Sequence, residues 1–159
     1  SVMLASPGKD ERGLTVAVYS VYPIAGGPPT TSFRRPEQAL GIVWAPDGQA
    51  FTYRNRTDPA WNVYRQAFEG GPPVAVTHFA QGRVISHNWS PDGRKLFARV
   101  EEGEASSLWI VEADGSHPVQ VARFEKERIF SQGWMPDSRR LVMTVGTSTS
   151  DAVLIREFR

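Results

Sequence analysis

The sequence has no cysteine, which excludes disulfide bridges, thiol catalysis and cysteine-bound metals in this chain. A cysteine-free chain tolerates oxidising and reducing surroundings equally, so this absence does not identify a compartment. Long apolar runs are also missing: the longest, ALGIVWA (39–45), is far shorter than the roughly 20 residues that span a bilayer. We therefore expect no membrane insertion.

Basic and acidic residues are nearly equal in number. The 159 residues include 18 basic and 17 acidic ones, a formal net charge of +1, mixed along the chain without long blocks. This balance gives no electrostatic reason to expect nucleic acid or an anionic membrane surface as a partner. Hydrophobic residues make up 40% and charged residues 22%, which is the usage of an ordinary folded domain.

Signatures of catalysis and of metal binding are absent as well. The chain contains no G-x-S-x-G elbow, no H-E-x-x-H pair, no aspartate-rich calcium loop and no glycine-rich phosphate loop. Its three histidines have no metal-ligand spacing: His78, His87 and His117. We therefore expect a protein that is not an enzyme and that needs no cofactor or metal.

The sequence does contain one short motif that occurs three times. The stretches VWAPDGQAFT, NWSPDGRKLF and GWMPDSRRLV begin at positions 43, 88 and 133, an interval of 45 residues. The match continues downstream, where NVYRQAFEGGPPVAVTHF (62–79) aligns with SLWIVEADGSHPVQVARF (107–124). SVYPIAGGPPTTSF (20–33) is a further copy of this second half. A fixed period of this length indicates a repeat architecture.

Each repeat has the pattern of four short strands. An apolar run such as GIVWAP ends at proline, and the following PDG has turn chemistry. Two further strand patterns follow, for example KLFARV and SLWIVEA; then DGSH predicts a tight hairpin and VQVARF a fourth strand. Four antiparallel strands in 45 residues are typical of one β-propeller blade. The alternative, an all-β sandwich, has the same strand density but does not predict a fixed motif.

Counting strands gives about three and a half blades, with units at 1–34 (partial), 35–79, 80–124 and 125–159 (partial). The last unit has its third strand at AVLIREF (152–158). We expect this single all-β segment to be part of a larger propeller, with a closed four-bladed ring as the alternative. Open blade faces and edges predict either a homo-oligomer or reduced stability of the isolated chain.

The stretch WSPDGRKLFARV…SLWIVEADGSHPVQV resembles the PD-type WD-like repeat of the TolB-like β-propellers. The ending RIFSQGWMPDSRRLVMTVGTSTSDAVLIREFR is similar to the last blade of bacterial propellers that follow a serine/threonine kinase or a winged-helix regulator. The resemblance implies a propeller fold, a bacterial source, a periplasmic or otherwise extracytoplasmic location and a protein or peptide partner. Two positions of the last copy depart from the motif: Met135, and Ser138 in place of glycine.

The residues that the repeat standardises are predicted to be structural. Because Trp44, Trp89 and Trp134 each end a first strand, we expect them to fill the seams between neighbouring blades. The aspartates of the three turns are predicted to bond to their own turns instead of holding a metal: Asp47, Asp92 and Asp137. Ser138 is expected to destabilise its turn a little, since the other copies have glycine there.

Candidate binding residues are those that the repeat varies. His87, Asn88 and Gln132 precede the tryptophans on first strands, which line the channel of a propeller. They are candidate channel groups, or else they satisfy one another or bound water.

Arg83 and Arg128 are equivalent residues in the segments leading into the first strands, with Gln38 at the third such place. Loops converging near the axis could present the two guanidinium groups to a carboxylate-bearing partner. The alternatives are a solvated charge or an ion pair between blades. Trp61, in TDPAWN, is a candidate anchor for a protein contact or, alternatively, packs over a loop.

The sequence thus predicts a non-catalytic propeller module that binds a protein or peptide. A different hypothesis is an accessory, substrate-gating propeller of a peptidase or lyase whose catalytic residues lie outside this chain. A third, carbohydrate recognition, would use exposed loop aromatics such as Trp61.

Overall fold

The computed structural model describes residues 2–9, 11–34, 39–69 and 71–148. These residues form four antiparallel β-sheets, here called blades 1 to 4, and contain no helix. Blade 1 has three strands, β1 (Val2–Lys9), β2 (Thr15–Tyr22) and β3 (Thr31–Arg34). Blade 4 has two in the described part of the chain, β12 (Arg128–Trp134) and β13 (Leu141–Gly146).

The two middle blades each have four strands. Blade 2 comprises β4 (Leu40–Trp44), β5 (Ala50–Thr57), β6 (Ala60–Ala67) and β7 (Val74–Ala75). Blade 3 comprises β8 (Arg83–Trp89), β9 (Lys95–Glu102), β10 (Ala105–Glu112) and β11 (Val119–Phe124). In both, strands adjacent in sequence are adjacent in the sheet, which is the four-stranded meander expected from the repeat. The predicted third strand at 152–158 and the candidate Gln38 lie outside the described residues.

One strand is much shorter than its sequence pattern predicts. VAVTHF (74–79) was expected to pair throughout, but β7 ends at Ala75. Beyond it, the Val76 amide still donates to the Val63 carbonyl (2.8 Å), but side chains make the next contacts. The Thr77 hydroxyl accepts a hydrogen bond from the Val63 amide (2.8 Å), and Asn62 Oδ1 accepts one from the Phe79 amide (2.7 Å). The prediction is wrong here because Asn62 and Thr77 satisfy these backbone groups and turn the chain away from the sheet.

The PDG and PDS turns behave as predicted. The carboxylate of Asp47 accepts a hydrogen bond from the Gln49 amide (2.9 Å), that of Asp92 from the Arg94 amide (3.1 Å), and that of Asp137 from the Arg139 amide (3.0 Å). The equivalent third turn residues all have positive φ: 68° at Gly48, 72° at Gly93 and 57° at Ser138. A serine in this region is strained where glycine is not, so the predicted cost at Ser138 has a structural basis.

The hydrophobic core is divided among the three seams between blades. Phe33 of blade 1 stacks on Phe51 of blade 2 with ring centroids 4.3 Å apart, and Phe68 packs against both. The seam between blades 2 and 3 contains Val63, Trp89 and Leu96 among its members. The seam between blades 3 and 4 centres on three buried side chains: Phe97, Leu108 and Ile129.

Two of the three repeated tryptophans follow this division. Trp44 lies 4.9 Å from Phe68, between ring centroids. Trp89 is buried in the second seam, and Trp134 packs against the third. The prediction that each indole fills a different seam is confirmed for Trp89 and Trp134, whereas the Trp44–Phe68 contact lies within blade 2. The core is divided among the seams and is not one shared interior.

Candidate binding site

The blades have two chemically different ends. Because the strands are antiparallel, the first strands of blades 2, 3 and 4 begin at the end where the β5–β6 and β9–β10 hairpins lie. We call this end of the blades the hairpin end. The opposite end carries the PDG and PDS turns, and we call it the turn end. We call β4, β8 and β12 the first strands. Arg83 and Arg128 begin two of them, so both lie at the hairpin end.

Two predicted site residues, Trp61 and Arg83, are in contact there. The guanidinium carbon of Arg83 lies over the indole of Trp61, 5.6 Å from the ring centroid, a cation–π arrangement between neighbouring blades. The Trp61 amide donates to the Gly82 carbonyl (3.0 Å), which fixes the two chain segments relative to each other. The pair borders an open cleft of about 500 Å³ at the second seam, lined also by Arg56, Pro59, Gln81, Glu101, Glu102 and Gly103.

Two further arginines each contact the first strand of the next blade from the second strand of their own blade. The side chain of Arg54, on β5, donates from Nη1 to the carbonyls of Val84 (3.2 Å) and Ile85 on β8. The equivalent Arg99, on β9, donates from Nη1 to the carbonyls of Ile129 and of Phe130, the latter at 3.2 Å. Each acceptor pair immediately follows Arg83 or Arg128 in the sequence, so the same arginine pair occurs at two successive seams.

The reason for this repetition is an irregularity in the first strands. The pairing register shifts between Val84 and Ser86 on β8, and between Ile129 and Ser131 on β12. A bulge leaves backbone groups without a ladder partner. The arginine of the preceding blade supplies the missing donor, and it does so across the seam.

Arg54, Arg83, Arg99 and Arg128 form what we call the arginine row. Burial, followed by the positive charges of Arg83 and Arg99, lowers the pKa of Arg54. Burial lowers the pKa of Arg99 as well, Glu101 acts in the opposite direction and Arg128 lowers it further. The guanidinium groups therefore lie close enough to repel one another along the row.

His87 lies inside the seam and not on its surface. Its side chain is buried, with Nε2 3.0 Å from the hydroxyl oxygen of Thr52, a fully buried residue of blade 2. Trp89 Nε1 donates to the same oxygen (3.2 Å), and the Thr52 hydroxyl donates to the Val43 carbonyl (3.3 Å). Burial, and then the charge of Arg54, lowers the pKa of His87 to about 3, so the ring is neutral at ordinary pH.

Asn88 and Gln132 take different positions. Asn88 is exposed, its side-chain oxygen accepts from the Trp89 amide (2.9 Å), and its carbonyl accepts from Trp134 Nε1 (3.4 Å). Gln132 Nε2 donates to the hydroxyl of Ser86 on the neighbouring first strand (2.6 Å). Its Oε1 is buried without a hydrogen-bond partner in the described part of the chain.

Only some of the six predicted residues are in contact with one another. Trp61 and Arg83 touch, Arg128 repeats the position of Arg83 one blade further on, and His87, Asn88 and Gln132 lie along the first strands between the two ends. Sequence reasoning missed Arg54 and Arg99. The repeat itself held the signal, since the two arginines lie 45 residues apart.

A second, more enclosed cavity of about 350 Å³ lies where residues 76–81 cross blade 3. Phe79 meets Trp109 edge-on there, with ring centroids 5.4 Å apart. The indole nitrogen of Trp109 is already bonded to the Ser107 hydroxyl (3.1 Å), so its exposed part is apolar. This cavity suits an apolar group, and Glu102 is the acidic residue in its lining.

The described residues place no three His, Cys, Asp or Glu side chains where they could hold a metal ion together. Nor does any helix in that part of the chain have the length and apolar character needed to cross a bilayer.

Comparison with solved structures identifies the fold. The chain is similar to TolB from Acinetobacter baumannii over 80% of its own length and 32% of that chain, at 12% identity and a TM-score of 0.54. It is similar to the tricorn protease over 89% of its length and 14% of that chain, at 12% identity and a TM-score of 0.61. It is also similar to the β-propeller domain of the Trilobed protease from Pyrococcus furiosus, over 85% of its length and 42% of that chain, at 17% identity and a TM-score of 0.53.

No protein-family model matches the sequence, and no curated protein matches it. The chain spans less than half of each of the three structures. At these identities the likeness establishes the fold and no activity. The predicted fold is confirmed: the chain is an all-β partial propeller of antiparallel blades, and it is similar to the propellers of TolB and of peptidases.

Proposed function

We propose that this chain is a non-catalytic propeller module that binds a protein or peptide partner at its hairpin end. The observation that carries the proposal is the Trp61–Arg83 pair beside an open cleft at a seam between blades. Tryptophan and arginine are the residue types most enriched among binding hot spots. Trp61 lies on β6 next to the β5–β6 hairpin and packs against the core of the second seam, and Arg83 begins β8, so the strands of two blades hold the pair in place.

Arg128 extends the proposed surface to the next seam. It is exposed and has the same place on β12 that Arg83 has on β8. A partner that lies across the hairpin end would therefore meet equivalent guanidinium groups on successive blades. A bacterial, extracytoplasmic sensor or signalling protein is the setting that the TolB-like resemblance suggests, and it is part of this proposal.

The test is capture of a specific partner by immobilised chain, with the captured proteins identified by mass spectrometry. Arg83→Ala together with Arg128→Ala should reduce recovery of that partner at least tenfold. The matched control is Arg94→Ala with Arg139→Ala, since these arginines are exposed, equally spaced and located at the turn end. Equal recovery by both double variants would contradict the proposal.

Self-association is distinguished by light scattering. If a second copy of the chain is the partner, the mass doubles at high concentration and returns to that of a monomer in the Arg83 and Arg128 double variant. Doubling that persists in the double variant would place the self-contact at another surface, such as an open blade face.

A second candidate function is an accessory propeller of a peptidase. It is favoured by the similarity to a propeller domain of a protease and to the tricorn protease, as those structures are named. In that case the hairpin end would receive substrate for a catalytic domain on the same protein. Adding this chain to a separately prepared catalytic domain would then change the size range of peptides cleaved, whereas an independent binding module would leave it unchanged.

A further inference from the structure

The first strands contain positively charged residues and no negatively charged ones. β4, β8 and β12 together contain Arg83 and Arg128 and neither aspartate nor glutamate. Arg54 on β5 and Arg99 on β9 add two guanidinium groups that contact these first strands. A chain with a net charge of only +1 therefore concentrates four positive charges on the channel side of two seams.

Among the described residues, these four arginines form no ion pair within 4.0 Å. In the part of the chain that the structure describes, the ion pairs within 4.0 Å involve other cations: Arg56, Arg65, Lys95, Arg123 and Arg140. Glu101 is an acidic neighbour of the row, opposite Arg83 in the β8–β9 ladder. Glu102 also lines the cleft beside Arg83 and pairs with Arg123 (3.3 Å). The four guanidinium groups outnumber these two carboxylates and leave a net positive potential at this surface.

Three of the four arginines in the row are held in place by contacts within the protein. The Nη1 atoms of Arg54 and Arg99 are held by carbonyl groups of the next blade, and Arg83 is held over Trp61. The Nε atoms of Arg54 and Arg99 are buried and have no acceptor among the described residues. Repulsion along the row cannot be relieved by rotation of Arg54 and Arg99 into solvent, because their carbonyl contacts would be lost.

We propose that the arginine row is a binding site for an acidic, extended peptide segment, whose carboxylates pair with guanidinium groups on successive blades. This inference rests on the proposed function and specifies the chemistry of its partner. Guanidinium groups bind carboxylates through paired hydrogen bonds, and fixed groups lose little entropy when they do so. An extended chain suits the row because its carboxylates recur along a line, as the arginines do.

Nucleic acid fits this surface less well. Phosphate binding depends on a broad basic face, but the loops at the hairpin end carry several acidic side chains, among them Asp58, Glu104, Glu125 and Glu127. These would repel a long polyanion outside the row itself. A short segment with a few carboxylates meets fewer of these acidic side chains, because it need not extend over the loops.

The experiment is a calorimetric titration with capped tetraglutamate, with capped tetraglutamine as the uncharged control. The expected result is binding of tetraglutamate that weakens at least tenfold in the Arg83→Ala and Arg128→Ala double variant. Binding should persist in the Arg94→Ala and Arg139→Ala double variant. It should also weaken as sodium chloride rises from about 20 to 200 mM, because ion pairs at the surface are screened. Thermal unfolding of all variants, followed by circular dichroism, confirms that each is folded.

Three results would overturn the inference: no binding of tetraglutamate, equal binding of the two peptides, or tighter binding of a pentathymidylate, whose four phosphodiesters match the four carboxylates. None of them bears on whether a partner is captured at the hairpin end. Capture that depends on Arg83 and Arg128 without tetraglutamate binding would keep the proposed function and reject the acidic peptide.

Discussion

The hydroxyl oxygen of Thr52 in blade 2 lies 3.0 Å from the imidazole Nε2 of His87 in blade 3, inside the seam between them. The same hydroxyl oxygen accepts a hydrogen bond from Trp89 Nε1 and lies 3.3 Å from the Val43 carbonyl. The contact joins two blades through a polar network within an otherwise apolar interface, and most of the predictions below concern such contacts across seams.

Thr52→Val should destabilise the chain by about 1–3 kcal/mol, because Trp89 and His87 would each lose a buried hydrogen-bond partner while the side-chain volume is kept. The measurement is urea unfolding followed by tryptophan fluorescence. Thr147→Val, at an exposed threonine beyond β13, is the control and should change the free energy of unfolding by less than about 0.5 kcal/mol. Equal effects of the two variants would contradict the buried network.

His87 should make the stability depend on pH. Its folded-state pKa is about 3, below the value of about 6.5 in the unfolded chain, so the unfolded state binds the proton first as pH falls. The stability that this residue contributes is therefore fully present above about pH 6.5 and is lost progressively as the pH falls toward 3. Between pH 7 and pH 5 the loss is about 2 kcal/mol.

Comparison with His87→Gln isolates this effect, since glutamine does not titrate. The free energy of unfolding of the natural chain should fall by about 2 kcal/mol more than that of the variant between these pH values. Parallel pH profiles of the two proteins would show that His87 is accessible to protons in the folded state.

Arg99→Met should destabilise the chain by about 1.5–3 kcal/mol, because two carbonyl groups of β12 would lose a charged donor. Arg54→Met should act similarly at the preceding seam. Arg56→Met is the control: its ion pair with Asp58 is exposed, and such pairs contribute about 0–1 kcal/mol. If all three arginines prove equivalent in chemical denaturation, Arg54 and Arg99 do not link the blades as described.

Ser138 allows backbone strain and a hydrogen bond to be measured separately. Its hydroxyl accepts a hydrogen bond from the Asp92 amide of the neighbouring blade (3.0 Å), while its φ is positive. Ser138→Ala should destabilise the chain by about 0.5–1.5 kcal/mol through loss of that bond. Replacing the alanine by glycine should then restore about 1 kcal/mol by relieving the backbone. Glycine less stable than alanine at this position would rule out strain.

The repeat made most of the fold predictable. A fixed interval places equivalent residues at equivalent points of successive blades, so strands, turns and the positions of Trp89 and Trp134 follow from the pattern alone. The exception, β7, shows the limit of this reasoning. The residue at position 62 is asparagine, whereas the next copy of the repeat has serine there (Ser107). The Asn62 side chain redirects the chain by a hydrogen bond to the Phe79 amide, which a periodicity argument does not consider.

The candidate site was less predictable because its contacts cross seams. Trp61 and Arg83 are candidates on separate sequence grounds, and their stacking depends on how two blades pack together. Arg54 and Arg99 are docked at bulges, and register shifts leave no clear mark in a sequence. His87 was expected at the channel, but its ring points into the seam, where Thr52 offers a buried hydrogen-bond partner.

The central claim is that ligands bind at the hairpin end and not at the turn end. Amide hydrogen exchange of the chain, with and without saturating tetraglutamate, tests it most directly. The account predicts slower exchange in segments 80–83 and 126–129, and no change in the turns at 45–49, 90–94 and 135–140. Protection of those turns, with unchanged exchange at both arginine-bearing segments, would contradict it.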